Sequence, residues 1–204
     1  AGFDAAIYFF SGDIQLNNCK LEGKAWEGQF MGLYGSEGSV TFKDSSISTV
    51  GNIGSWSYAM YGDSVLKLNH SSLTATGMQP ASGNINTFYS GDDRKEYDAI
   101  FVENGSTVDF HDNNAGGLAI NNINIHVSDS TVNVSDNWGS ACNSGYWIVK
   151  NSTITMNGNK GGHALSCIGF EMTDTILDIH HNGYAGVYLQ SKDSSFTGGK
   201  ISLD

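Results

Sequence analysis

The sequence predicts an all-β solenoid, a chain wound through stacked repeats. Three observations predict it. First, four segments share the pattern apolar-x-apolar-x-x-Asn: Val108 to Asn113, Val132 to Asn137, Ile154 to Asn159 and Leu177 to Asn182. Their first residues are 24, 22 and 23 apart, and a fixed period in this range marks repeats that bury their apolar faces against one another. Second, a further short run of alternating apolar and polar residues precedes most of these segments. Third, no stretch carries a sustained 3.6-residue apolar period free of Gly and β-branched residues, whereas alternation is the strand period.

The elements follow in order. Anchors fall at Leu21, Ile47, Leu73, Val108, Val132, Ile154, Leu177 and Phe196, which predicts about eight coils. The preceding strands are Ile14-Gln15-Leu16, Val40-Thr41-Phe42, Leu66-Lys67-Leu68, Ile125-His126-Val127 and Phe170-Glu171-Met172. Polar corners separate the two: Lys43 to Ser46, Asn69 to Ser72, Ser128 to Thr131 and Lys150 to Thr153. Asn, Asp and Ser suit such bends because their side chains bond nearby backbone groups. About three short strands per coil are expected. The gap from Leu73 to Val108 is 35 residues, which marks one long loop insertion at about 79–98.

A leucine-rich repeat also contains apolar-x-apolar-x-x-Asn. It fails here on both flanks. Gly105, Asp129, Asn151 and Asp174 stand three before the anchors, where that repeat places Leu. Ala115, Gly139, Gly161 and Tyr184 stand two after the Asn, again in place of Leu.

With these coils the chain resembles the right-handed parallel β-helix of the pectate-lyase-like superfamily, and in its Gly- and Asn-rich character the adhesin-like repeats of bacterial surface proteins. The resemblance covers nearly the whole chain. Asn52, Asn113, Asn137, Asn159 and Asn182 hold one register. Such proteins often carry an internal asparagine ladder, in which each amide donates to one neighbour and accepts from the other. The register is interrupted at Trp26 and Met78.

Composition sets the outer bounds. A chain of 204 residues and 39% hydrophobic content is one domain, 1–204, with enough apolar surface for a solenoid core. The net charge of −11 opposes nucleic acid or an anionic membrane as partner. No apolar run has spanning length, so direct membrane insertion is not expected. Only 15% of residues are charged, so the surface must be rich in neutral hydrogen-bonding groups. Ala5 to Phe10 reads as a strand of a coil in progress, and Lys200 to Asp204 ends within one. The expectation is a segment of a longer extracellular protein, with end-to-end contact through uncapped coils. Cys19, Cys142 and Cys167 have no zinc-type spacing and read as small core residues. A Cys142–Cys167 bridge between neighbouring coils is the alternative.

Two groups are candidates for chemistry. Asp112 and Asp136 hold one register in adjacent coils, roughly 5 Å apart at the strand spacing. Such a pair needs a cation or a shared proton, which points to Ca²⁺ as cofactor or to a catalytic acid pair. Two turn aspartates splayed into solvent is the plain alternative. The insertion is the second candidate. Its Phe88, Tyr89, Asp92, Asp93, Arg94 and Tyr97 combine aromatic rings with charges, which suits sugar recognition, and solenoid insertions map to one face. Lyases of the resembled architecture pair carboxylate-bound Ca²⁺ with a basic residue. Here Arg94 is the sole arginine, and no Lys or Arg shares the register of the acid pair.

The expected function is an extracellular, adhesin-like or carbohydrate-binding module at a bacterial cell surface, with a glycan or host-surface ligand as partner. The alternatives are a polysaccharide lyase or glycoside hydrolase, and a purely structural stalk.

Overall fold

The computed structural model describes residues 4–9, 11–24, 30–35, 38–51, 53–54, 57–62, 65–80, 86–89, 97–114, 116–119, 123–139, 142–190 and 194–204, and the structural statements below concern these. Every regular element among them is a β-strand, and every strand pair is parallel. The chain is a parallel β-solenoid with three faces. The first face holds Asp13–Asn17, Ser39–Lys43, Val65–Asn69, Tyr97–Glu103 and Ile123–Ser128, and the second holds Lys20–Lys24, Ser46–Val50, Ser72–Thr76, Thr107–His111 and Thr131–Ser135, each continued by later coils. The third face starts with Asp4–Phe9, Phe30–Gly35 and Ser57–Gly62. Cys142–Lys150 and Leu165–Thr173 run through the corner from the third face into the first.

Alternation sends every second side chain inward, and the parallel register stacks them. On the first face Ile14, Val40, Leu66, Ile100, Ile125, Trp147 and Phe170 form one column, and Leu16, Phe42, Leu68, Val102, Val127, Val149 and Met172 the next. On the second face Leu21, Ile47, Leu73, Val108, Val132, Ile154 and Leu177 are aligned. These columns are the core. Each buried Leu, Ile or Phe contributes about 1.5–3 kcal/mol by leaving water. Interior stacking includes Trp147 on Phe170, with ring centroids 6.3 Å apart.

Four expectations are corrected. Eight strands stack on the second face, but the fully buried core is shorter than the eight coils expected: it runs from Val40 to Ile179, about five turns, because the outer rungs are only partly covered. Phe196 is not a second-face anchor. It pairs with Met172 on the first face, and Ile201 pairs with Leu177 instead. The last coil therefore keeps the ordinary period, and the short final gap came from choosing the wrong apolar residue. The insertion is not loop throughout. Gln79–Pro80 pairs with Ile53–Gly54, Asn86–Tyr89 lies between its neighbours on the third face, and Tyr97 opens a first-face strand. Finally, Cys167 is a free, buried thiol. Cys142 stands in register with Leu165, and Ser144 with Cys167, so the register does not set the two cysteines side by side.

Each coil has three corners, and the two that flank the second face use left-handed backbone. At the bend from first to second face, Asn18, Asp44, His70, Gly105, Asp129, Asn151 and Asp174 have φ between 47° and 74°. At the bend after the second face, Gly51, Gly77, Asp112, Asp136, Gly158 and His181 have φ between 53° and 67°. This conformation costs a residue with a Cβ about 1–2 kcal/mol, least for Asn and Asp, which explains the residue types found.

Candidate functional site

Each bend is pinned by a ladder. Behind the second bend, Asn113, Asn137 and Asn159 are buried and Asn182 is partly buried. The side-chain oxygen of each accepts the backbone N–H one rung earlier: Met78 to Asn113 at 3.0 Å, Asn113 to Asn137 at 3.1 Å, Asn137 to Asn159 at 3.2 Å and Asn159 to Asn182 at 3.0 Å. Each amide nitrogen donates to a carbonyl of the preceding coil, those of Ala75, Phe110, Val134 and Met156. Met78 thus occupies the ladder position with an apolar side chain and still supplies the donor. Asn52 lies outside the described residues.

The first bend carries a second ladder that the sequence reading missed. Cys19, Ser45, Ser71, Ser106, Ser130 and Ser152 donate their backbone N–H to the hydroxyl of the next rung, that of Ser45, Ser71, Ser106, Ser130, Ser152 and Thr175 respectively, at 3.0–3.4 Å. Each hydroxyl donates back into its own coil, as Ser130 does to Ser128 O at 2.7 Å. The signal was present: a hydroxyl residue follows each left-handed corner residue from Asp44 to Asp174. It stops after Thr175, where the following coil has Gly199 against the Thr175 backbone.

A shallow axial groove runs over this second ladder. One stretch is lined by Asn18, Asp44, His70 and Gly105 on one side and by Lys20, Ser46, Ser72 and Thr107 on the other. The next continues from Gly105 through Asp129, Asn151 and Asp174, facing Thr131, Thr153 and Ile176. From Asn18 to Asp174 this is seven rungs, about 30 Å at the strand spacing. One wall is a row of strand hydroxyls from Ser46 to Thr153, with Lys20 and Ile176 at its two ends. The other is a row of carboxylates and amides on corner residues, braced by His70 Nδ1 to Asp44 Oδ1 at 2.7 Å and by Asn151 Nδ2 donating to Asp129 Oδ1 at 3.3 Å. The hydroxyl ladder beneath the groove fixes the spacing of these groups.

The nominated acid pair lies elsewhere. Asp112 and Asp136 are exposed residues of the second bend, not of the groove. Asp112 faces His111 Nδ1 at 3.0 Å. Asp136 leans over Gly158, where a Cβ would lie 2.3 Å from its Oδ1. Among the described residues no group of three or more His, Cys, Asp and Glu could hold a metal ion. Left-handed backbone is by itself a reason for Asp at these two places. In the insertion, Asp92, Asp93 and Arg94 lie outside the described residues. Phe88, Tyr89 and Tyr97 are in strands, in register with Met60, Tyr61 and Ile123, with their side chains outside the described set.

Two titrating groups are shifted by their surroundings. His180 lies between Asp178, which it meets through Nε2, and Asp204, 3.0 Å from Nδ1. Desolvation disfavours its charged form, but the hydrogen bonds and charges of the two carboxylates together outweigh it and raise the His180 pKa. The Asp204 pKa is lowered, first by the backbone N–H of His181 at 2.9 Å and then by His180. The Nδ1 contact is an ion pair of poor hydrogen-bond alignment, since that nitrogen has no partner of good geometry. Separately, burial pushes the Cys167 thiol up to about 12.

No protein-family model matches the chain, and neither a curated protein nor a solved structure matches it.

Proposed function

We propose that the chain is a carbohydrate-binding, adhesin-like β-helix module of an extracellular bacterial surface protein, pectate-lyase-like in architecture and acting by binding. The axial groove carries this reading. A straight polar channel with hydroxyls on one wall and carboxylates and amides on the other offers a linear glycan a donor or acceptor at every rung. Asp44, Asp129 and Asp174 along it, with a net charge of −11, favour neutral or amino sugars and oppose polyuronates. Weak contacts repeated along a rod suit avidity.

The test is retention on an array of neutral, amino and acidic glycans, for the wild type and for Thr131→Arg, which fills the groove from an exposed strand position. Retention of neutral or amino polymers that Thr131→Arg abolishes supports the reading. Retention of polyuronates alone, or release of products from them, overturns it in favour of the lyase alternative. The two continuous ladders also favour a structural stalk, and a wild type that binds no glycan on the array would favour that reading.

A further inference from the structure

The bend after the second face and the strand that follows it carry exposed rings that neither ladder nor core requires. Trp138 is 63% exposed, Tyr184 68% and Tyr188 48%. The bend backbone is pinned between coils. The Trp138 N–H donates to Asn113 O at 2.8 Å, that of Lys160 to Asn137 O at 2.9 Å and that of Gly183 to Asn159 O at 2.7 Å. Trp138, Lys160 and Gly183 therefore stack on successive rungs, directly after the asparagine ladder. Gly161 follows Lys160, and a Cβ there would lie 2.7 Å from Trp138 O and 3.2 Å from Gly139 Cα. That close approach keeps a side chain off the rung between Gly139 and Tyr184, beside Lys160.

The rings are also oriented. His163 stacks on Tyr188 with centroids 4.8 Å apart and planes 11° from parallel. It meets Tyr184 edge-on, with centroids 6.3 Å apart. Lys160 Nζ lies 5.6 Å from the Trp138 ring centroid, a cation–π contact that steadies the indole and sets a donor beside it. An imidazole that spends its face on Tyr188 while both tyrosines stay exposed is a brace for rings presented to solvent. Large rings cost little conformational entropy to hold in place, and they offer an apolar face beside a polar tip.

We propose that Trp138, Tyr184 and Tyr188 form a second saccharide site, separate from the groove, that takes a short β-linked gluco-configured chain. Equatorial hydroxyls leave the faces of such sugars apolar, so they stack on exposed rings. Trp138 and Tyr184 stand two rungs apart, about 10 Å at the strand spacing, which is the length of one disaccharide unit. Gly161 gives the chain room to lie flat between them, and Lys160 and the tyrosine hydroxyls reach its edge. This deepens the reading of the chain as a carbohydrate binder and rests on it.

The test is calorimetric titration with cellohexaose and chitohexaose of the wild type, Trp138→Ala, Tyr184→Ala, Trp138→Phe and the groove variant Thr131→Arg, with melting curves for each. The expected result is a loss of about tenfold or more in affinity for Trp138→Ala and for Tyr184→Ala, partial recovery in Trp138→Phe, and no change in Thr131→Arg. Equal affinity in wild type and both alanine variants overturns the site. So does a wild type that binds neither hexasaccharide. In both cases groove-dependent retention of long polymers would still stand, so the two ideas fail separately. A variant that melts well below the wild type is read from Trp138→Phe, which keeps a ring and the corner backbone.

Discussion

The side-chain oxygen of Asn159 accepts two N–H groups of Asn137, the backbone at 3.2 Å and one amide N–H at 2.9 Å. Asn159 repeats the arrangement towards Asn182, at 3.0 Å for each bond. One residue thus satisfies a buried corner of its own coil and of its neighbour's. Asn137→Ala would strand the Asn113 N–H and the Phe110 carbonyl in the interior. A destabilisation of about 1–3 kcal/mol is expected, because a buried group without a partner costs its full desolvation. Urea unfolding of the variant checks it. Asn182→Ala, at a partly buried rung, should cost less, and equal stability of Asn137→Ala and wild type would refute the role.

The hydroxyl ladder predicts a finer contrast. Ser130→Ala removes the acceptor for the Ser106 N–H and the donor to Ser128 O, and should cost about 1–3 kcal/mol. Ser152→Thr should be close to neutral, since Thr175 performs the same task one rung on, bonding Ser152 N and Thr173 O. Denaturation midpoints of the two variants settle the comparison. A neutral Ser130→Ala would show that the hydroxyl is dispensable.

Asp112 and Asp136 share their backbone state with Gly51, Gly77 and Gly158. The double variant Asp112→Gly with Asp136→Gly should therefore fold with little loss, since glycine meets no steric penalty there. Millimolar Ca²⁺ should leave the melting temperature of the wild type unchanged. A rise in Ca²⁺ that the double variant lacks would instead establish a cation site by linkage.

The His180 cluster predicts a pH dependence. A raised folded-state pKa means that protonation stabilises the fold. That contribution is fully present below the unfolded-state pKa of about 6.5 and is lost as pH rises through the folded value. Asp204 works oppositely. Its lowered pKa stabilises above the unfolded value of about 3.9 and fails as pH falls through the folded one. The melting-temperature gap between wild type and His180→Asn should be widest on the acid side of about pH 6.5, above the range in which the carboxylates protonate, and should close above the raised His180 pKa. A gap independent of pH would exclude the ion pairs as its source.

Thiol chemistry separates the two described cysteines. Cys19 is exposed, whereas Cys167 is buried with its pKa raised. Alkylation of the native protein near pH 8 should label Cys19 readily and leave Cys167 unmodified until unfolding, because the thiolate is the reactive form. Mass spectrometry of the digested product reads both sites, and labelling of native Cys167 would contradict its burial.

Most of the fold was legible because a solenoid writes the same instruction in every coil. Val108, Val132, Ile154 and Leu177 with their trailing asparagines give the second face and its bend without knowledge of the rest. Phe196 was misplaced because the last coil offers two apolar residues, Phe196 and Ile201, and only the register with Leu177 distinguishes them. The hydroxyl ladder escaped notice because Ser and Thr are so common here that one aligned column of them does not stand out. Candidate binding surfaces were harder still. The groove is made by corner and strand residues of seven coils, and the exposed ring pair by Trp138 and Tyr184 from coils two apart. Neither leaves a local motif. The insertion attracts attention through composition alone, which says nothing about what its side chains face.

In both ladders the backbone N–H of one rung always points to the side-chain oxygen of the next, never the reverse. The molecule is therefore a vector as well as a rod. A further coil can join it in only one sense, donor row to acceptor row. Two such stacks meeting with like rows together would oppose donor to donor along two bends at once. The direction of the chain is thus written into its buried bends at the atomic scale. The groove that runs over the hydroxyl ladder inherits that sense, so its two ends are not equivalent.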